Sequence, residues 1–104
     1  MEITISSRGP EPSVSLVQAT NHKIGRLSRF FEGMDVARVR FAEERNPRIA
    51  EREICEVTME GRGHQVQCKV AAGDSFAALD LAVAKLEPQL TRMKSKTSVR
   101  HARE

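Results

Sequence analysis

The sequence predicts an α+β domain with the order β-α-β-β-β-α, in which a four-stranded sheet has two helices packed on one face. Four segments alternate apolar and polar residues with the period of two that half-buried strands show. Two longer segments repeat apolar residues with the helical period. The chain has 104 residues, of which 39% are hydrophobic and 30% charged, which suits one globular domain.

The first strand and the first helix lie on either side of a proline-containing turn. Residues 2–7 alternate between apolar and polar side chains, and residues 9–12 end the strand because proline lacks a backbone donor. Ser13 can cap a helix over residues 13–32, and Gly33 is its expected C-terminal cap. The apolar positions of this helix fall within an arc of roughly 100°. They are Leu16, Val17, Thr20, Ile24, Leu27 and Phe31.

The remaining three strands follow in succession. Residues 36–44 alternate until Asn46 and Pro47 end the strand, and residues 55–60 and 65–70 alternate in the same way. Since one face of every strand is apolar, both helices should cover that face. We expect the other face to be solvated. It carries Glu2, Thr4, Arg38, Arg40, Glu56, Thr58 and Gln67.

The last two strands are predicted to form a hairpin around Gly61-Arg62-Gly63. Pairing Val57 with Val66 would place Cys55 directly opposite Cys68 on the apolar face. A disulfide or half of a zinc site is the alternative, but no CxxC or HxxxH spacing supplies further ligands. We therefore expect two reduced cysteines that pack as small hydrophobic side chains.

A long second helix begins at Asp74 or Ser75, either of which can cap the first turn. Pro88 lies inside the helical pattern, where it removes one backbone hydrogen bond. It predicts a kink, or a break with Pro88 in the first turn of a new helix. The apolar positions predict a stripe that packs on the sheet. They are Phe76, Leu79, Val83, Leu86, Leu90 and Met93.

The net charge of +3 arises at the C-terminus. Residues 1–91 contain 12 Lys+Arg against 13 Asp+Glu, whereas residues 92–104 contain five basic residues and one acidic residue. Such a segment is usually a solvated tail, and the alternative is an electrostatic footprint for a phosphate backbone. Basic residues also flank the apolar stripe of each helix. They are Lys23, Arg26 and Arg29 on the first helix and Lys85, Arg92, Lys96 and Arg100 on the second.

Several function classes lack their sequence signatures. The chain has no GxSxG, P-loop or HExxH motif, and His22, His64 and His101 have no shared metal spacing. We expect no enzymatic activity, no cofactor and no metal. Four Phe without Trp or Tyr make base stacking on an aromatic platform a poor prediction. No signal peptide and no apolar stretch of about 18 residues is visible, which favours a cytoplasmic protein.

The second helix carries a more specific motif: Gly73-Asp74-x-Phe76-x-Ala78-Leu79-Asp80-x-Ala82-x-x-Lys85-Leu86-Glu87-x-Gln89-Leu90-x-Arg92-x-Lys94-x-Lys96. This motif closely resembles the signature of the ribosome hibernation promoting factors and the related ribosome-associated inhibitor A. The resemblance covers residues 1 to about 97 and implies the same β-α-β-β-β-α fold. Residues 1–97 would form a ribosome-binding domain and residues 98–104 a basic tail.

The resemblance implies a protein that binds the small ribosomal subunit and its rRNA at the mRNA/tRNA channel and keeps idle ribosomes inactive. It implies no DNA or membrane partner, and dimerisation only through a C-terminal domain outside these 104 residues. Phe76, Leu79 and Leu86 would serve packing alone. The residues assigned to RNA contact are Lys23, Arg26, Arg29, Lys85, Arg92, Lys94, Lys96 and Arg100.

Two other functions fit the same element order. A general double-stranded RNA-binding module would have equal affinity for a plain RNA duplex and for the small subunit. A protein–protein adaptor would use the exposed sheet face or an edge strand, and its binding would survive high salt. The ribosomal hypothesis depends on the basic flanks of both helices forming one continuous stripe.

Overall fold

The computed structural model describes the backbone of residues 1–103 and the side chains of residues 1–94. Four strands form one mixed sheet in the order β1-β2-β3-β4, with β1 parallel to β2 and the other pairs antiparallel. Both helices pack on one face, which confirms the predicted fold class and element order. The elements are β1 (Glu2–Arg8), α1 (Val14–Arg26), a 3₁₀ turn (Leu27–Arg29), β2 (Val36–Glu43), β3 (Glu53–Gly61), β4 (His64–Ala72) and α2 (Ser75–Arg103).

The first helix begins where the sequence predicts but ends earlier. Ser13 caps α1, since its Oγ accepts a hydrogen bond from the Leu16 amide at 3.1 Å. The helix ends in right-handed conformation at Leu27 and tightens into the 3₁₀ turn, so the predicted end at residue 32 with Gly33 as cap is wrong. The tighter winding redirects the chain while Leu27 and Phe31 both remain buried in the core.

Gly33 and Gly61 allow two segments of backbone to pass close to each other. A Cβ at Gly61 would lie 2.6 Å from the Asp35 amide nitrogen, and one at Gly33 would lie 2.9 Å from Cδ of Arg62. The Asp35 amide donates to the Glu60 carbonyl at 2.8 Å across this contact. The β3–β4 turn is therefore held against the segment that leaves the first helix.

The β3–β4 hairpin has a two-residue turn that corrects the predicted register. Arg62 and Gly63 both have positive φ, 49° and 76°, as a type I′ turn requires. The turn is centred one residue later than the predicted pairing implied. Cys68 therefore pairs with Val57, and its predicted pairing with Cys55 is wrong.

Both cysteines are free thiols that face the helix side of the sheet. Burial is the main cause that raises the pKa of the Cys55 thiol to about 12, and burial also raises the pKa of Cys68. A thiol that stays protonated is a poor nucleophile and metal ligand. The expectation of cysteines that pack as small hydrophobic side chains is confirmed.

The second helix buries most of its predicted stripe. Leu79, Leu86 and Leu90 are fully buried, whereas Phe76 is 44% exposed, so its assignment to packing alone is wrong. Phe76 lies in the first turn of α2, at the edge of an open recess, where it has core neighbours on one side only. Ala78, which is fully buried, brings the helix close to the sheet instead.

Pro88 does not divide the second helix. The helix is continuous from Ser75 to Arg103, so the predicted break is absent. Ala84, whose carbonyl loses its usual donor at Pro88, is exposed, as is Pro88 itself, so water can satisfy that carbonyl. No helix among the described residues combines the length and apolar character needed to cross a membrane.

The sheet face opposite the helices is the solvated one, as predicted. Glu56 and Thr58, which lie on this face of the interior strand β3, are half-buried. The others are exposed: Glu2, Thr4, Arg38, Arg40 and Gln67.

Candidate nucleic-acid interface

The basic residues of the first helix line a groove between the two helices, which we call the interhelical groove. Lys23, Arg26 and Arg29 lie on its α1 side, and α2 contributes the acidic residues Asp80 and Glu87. The Lys23 ammonium forms an ion pair with the Asp80 carboxylate, so its charge is compensated within the protein. Arg26 and Arg29 are exposed and form no ion pair with any side chain that the structure describes.

A second concave surface, the cationic recess, adjoins the end of this groove. It joins positive side chains from three elements: Arg29 from the 3₁₀ turn, Arg62 from the hairpin turn and Lys94 from α2. Its volume is about 310 Å³, and Glu32 is the only acidic residue among those that line it. The three cations form no ion pairs within the described part of the chain. Three cations against one carboxylate therefore leave the recess with an excess of positive charge.

The fold holds Arg62 and His64 at this recess by local contacts. The two-residue turn exposes Arg62, and the close approach of Gly33 fixes the turn beside the recess. The His64 ring packs edge-on against Phe31, with ring centroids 5.5 Å apart. Neither residue is predicted from the sequence, because a hairpin turn and the residue that follows it have no hydrophobic period. The usable signal was an arginine between two glycines, which a hairpin turn must present to solvent.

Lys85 and Arg92 lie on the other flank of α2, beside the edge strand β4. Gln89, on the same flank, donates from Nε2 to the Gln67 carbonyl at 3.4 Å. Burial raises the pKa of the Cys68 thiol, and the nearby Lys85 ammonium opposes that shift. Arg92 follows Lys85 by two helical turns and is exposed.

Among the described side chains, the basic residues form two groups and not the expected single stripe. Lys94 lines the cationic recess with Arg29, whereas Lys85 lies near Cys68 of β4, and the helical period places Arg92 on the flank of Lys85. The exposed ridge between the two groups has no charge: it contains Leu81, Ala84 and Pro88. The predictions for Lys96, Arg100 and the tail 98–104 lie outside the described side chains.

The arrangement is suited to binding a polyanion. Exposed Arg and Lys side chains bind phosphate oxygens and release counterions from nucleic acid. Within residues 1–94 no group of three or more His, Cys, Asp or Glu side chains is placed to hold a metal ion.

The sequence matches the model of a known protein family. Residues 3–98 match the family model described as sigma 54 modulation protein / S30EA ribosomal protein. A ribosome hibernation promotion factor of Mycobacterium tuberculosis is 34% identical over 103 residues, which are 96% of this chain and 46% of that protein. The chain thus spans about half the length of this curated relative.

Two solved structures share the fold. The Thermus thermophilus Protein Y N-terminal domain is 26% identical with a TM-score of 0.75, covering 89% of this chain and 99% of that one. A ribosomal subunit interface protein from Coxiella burnetii has a TM-score of 0.81 at 21% identity, covering 91% of this chain and 99% of that one.

Proposed function

The chain belongs to the sigma 54 modulation protein / S30EA ribosomal protein family, and from this we propose that it binds the small ribosomal subunit and keeps idle ribosomes inactive. The site we propose is the channel that mRNA and tRNA occupy during translation. Support comes from the match over residues 3–98 and from relatives named for ribosome hibernation and for the ribosomal subunit interface. The proposed partner, the ribosome, implies a location in the cytoplasm.

The observation that carries the proposal is the convergence of Arg29, Arg62 and Lys94 at the cationic recess. These three cations outnumber the single lining carboxylate, Glu32, so they repel one another, and a phosphate backbone would reduce that repulsion. Each phosphate neutralised contributes about 0.7 to 0.9 to the slope of log affinity against log salt. Binding of this kind recognises the shape of folded RNA and needs no base-specific contact.

The separation of the cations into two groups supports a channel more than a flat surface. Lys85 and Arg92 lie beside β4, whereas the cationic recess lies on the α1 side of α2. A single RNA surface could contact only one of these groups at a time. Two RNA walls, one on each side of α2, would contact both.

The test is co-sedimentation of the protein with purified small subunits at low and at physiological salt. We expect binding at low salt that falls steeply as salt rises. Arg29→Glu/Lys94→Glu should reduce the affinity by more than about tenfold, since two favourable contacts become repulsive. Lys94→Glu alone should weaken binding by less than the double substitution. Arg48→Glu, which makes the same charge change at an exposed position of the β2–β3 loop outside both cationic groups, should leave binding unchanged.

The competing functions give different results in the same experiment. Failure to sediment with small subunits at low salt contradicts the proposal. Equal affinity for a plain RNA duplex indicates a general double-stranded RNA-binding module. Binding that does not weaken with salt indicates a protein partner, because little counterion release is then involved.

A further inference from the structure

A separate concave surface lies on the sheet face away from both helices, and we call it the open-face recess. Its volume is about 630 Å³, larger than that of the cationic recess. Strand ends and the β2–β3 loop form its walls. Five of its lining residues are cations and three are carboxylates. The cations are Arg8, Arg40, Arg45, Arg52 and Lys69, and the carboxylates are Glu43, Glu44 and Glu56.

Strand register places these residues around an apolar floor. Arg40 of β2 pairs with Glu56 of β3, which in turn pairs with Lys69 of β4. Arg40 and Lys69 are thus two strand spacings, about 10 Å, apart. In the next row that faces the same side, Arg8 pairs with Ala42, whose other partner is Ile54. Small apolar side chains therefore floor the recess between the cations.

The acidic residues of the loop are occupied by contacts within the loop. Arg52 donates from Nη2 to Glu43 Oε1 at 3.3 Å and from Nε to the Glu44 carbonyl at 3.2 Å. Glu44 Oε1 accepts from the Asn46 amide at 3.2 Å. These contacts hold the loop in place and pair the charge of Glu43 with Arg52, whereas Glu44 keeps its negative charge.

The other four cations form no ion pair within the described residues, although Glu56 lies between Arg40 and Lys69 in the strand register. All four are exposed: Arg8, Arg40, Arg45 and Lys69. Four cations against the two carboxylates of Glu44 and Glu56 leave positive charge in excess. Elsewhere on the same face the pattern differs, since Arg38 pairs with Glu60 at 3.1 Å. The excess is therefore local to the open-face recess.

We infer that the open-face recess binds a phosphate group, carried either by a free nucleotide or by an RNA chain. An Arg guanidinium offers paired donors that match phosphate oxygens, and a doubly charged anion offsets the repulsion among four cations. The apolar floor formed by Ala42 and Ile54 can contact the sugar or base attached to that phosphate. This surface is distinct from the cationic recess because the sheet separates the two, so the inference does not depend on the proposed ribosomal site.

The test is an NMR titration of the 104-residue chain with ADP and, separately, with a short single-stranded RNA. We expect saturating amide shifts around Arg40, Ala42 and Lys69. Arg40→Gln/Lys69→Gln should weaken this binding by about tenfold or more, since both lost contacts are charge-assisted. Arg38→Gln, on the same face but outside the recess, should leave it unchanged.

The two probes distinguish the sources of the phosphate. Saturating shifts with ADP would show that a free nucleotide is sufficient for binding. Saturating shifts with RNA but not with ADP would show that a nucleic-acid chain is required. The inference is wrong if neither probe produces saturating shifts in the open-face recess, or if shifts occur only at the cationic recess. It is also wrong if Arg38→Gln weakens binding as much as the double substitution. Retained dispersion of the amide spectrum shows that each variant is folded.

Discussion

Lys23 of α1 and Asp80 of α2 form an ion pair across the interhelical groove. This contact ties the two helices together on their exposed side. It also removes one of the three cations that line the interhelical groove from the charge available to RNA. Both side chains are partly exposed, 40% and 59%, so the pair contributes at most about 1 kcal/mol to stability. Its larger effect is on which cations can bind a polyanion.

Asp80→Asn should therefore increase affinity for small subunits by about two- to fivefold, because it frees the Lys23 ammonium without removing the side chain. Lys23→Gln should change affinity less than Arg29→Gln, whose cation has no acidic partner. Co-sedimentation at constant salt measures all three variants. Lower affinity of Asp80→Asn would show that the carboxylate itself takes part in binding.

Arg62→Asn separates the charge of the hairpin turn from its backbone geometry. Asparagine followed by glycine favours the type I′ turn, so the free energy of unfolding should stay the same or increase slightly. Affinity for small subunits should fall, and the slope of log affinity against log salt should decrease by about one. Arg48→Asn removes the same charge from the β2–β3 loop and should change neither the affinity nor the salt slope. An unchanged salt slope for Arg62→Asn would remove Arg62 from the interface.

Gly61→Ala tests the close approach that holds the hairpin turn in place. The new Cβ would lie 2.6 Å from the Asp35 amide nitrogen and from Cα of Met34, so the backbone must shift. We expect a loss of about 1 to 3 kcal/mol in the free energy of unfolding by urea denaturation. Gly73→Ala is the matched control, since its Cβ would have no neighbour within 4 Å. Equal effects of the two substitutions would contradict this packing.

The buried Cys55 thiol makes stability depend on pH in the alkaline range. Burial, with a smaller effect from Cys68, raises the Cys55 pKa from its ordinary value of 9.0 to about 12. Above pH 9 the unfolded chain loses this proton while the folded chain keeps it, so stability falls as pH rises. The decrease should approach about 1 kcal/mol per pH unit in urea denaturation. Cys55→Val should show a smaller decrease, and an equal one would assign the effect to other groups.

Local sequence patterns were sufficient to predict the elements but not all of their contacts. The alternation of residues 36–44 and the spacing of Leu79, Leu86 and Leu90 each follow from burial of one face. The hairpin register depends instead on which two residues take positive φ. Because one glycine lies on each side of Arg62, two positions of the turn were possible. Phe76 fits the helical period, yet its exposure depends on where the neighbouring elements end.

The sequence predicts a set of basic residues for the candidate site, but it predicts neither Arg62 nor the surfaces that these residues form. Helical angles place Lys94 and Lys85 on different flanks of α2, but only the packing of α1 shows which flank faces the first helix. Arg62 reaches the cationic recess through a hairpin turn that no periodic pattern includes. The open-face recess likewise depends on long-range register, which joins Arg40 and Lys69 through Glu56.

The hydrogen bond from Gln89 to the Gln67 carbonyl has a consequence for solubility at high concentration. β4 is an edge strand, and an unprotected edge can pair with the edge of another molecule and start aggregation. The Gln89 amide occupies one acceptor of that edge, and the neighbouring Lys85 adds a positive charge that repels an identical copy. The same flank of α2 that we propose for RNA contact thus also hinders self-association in the absence of RNA.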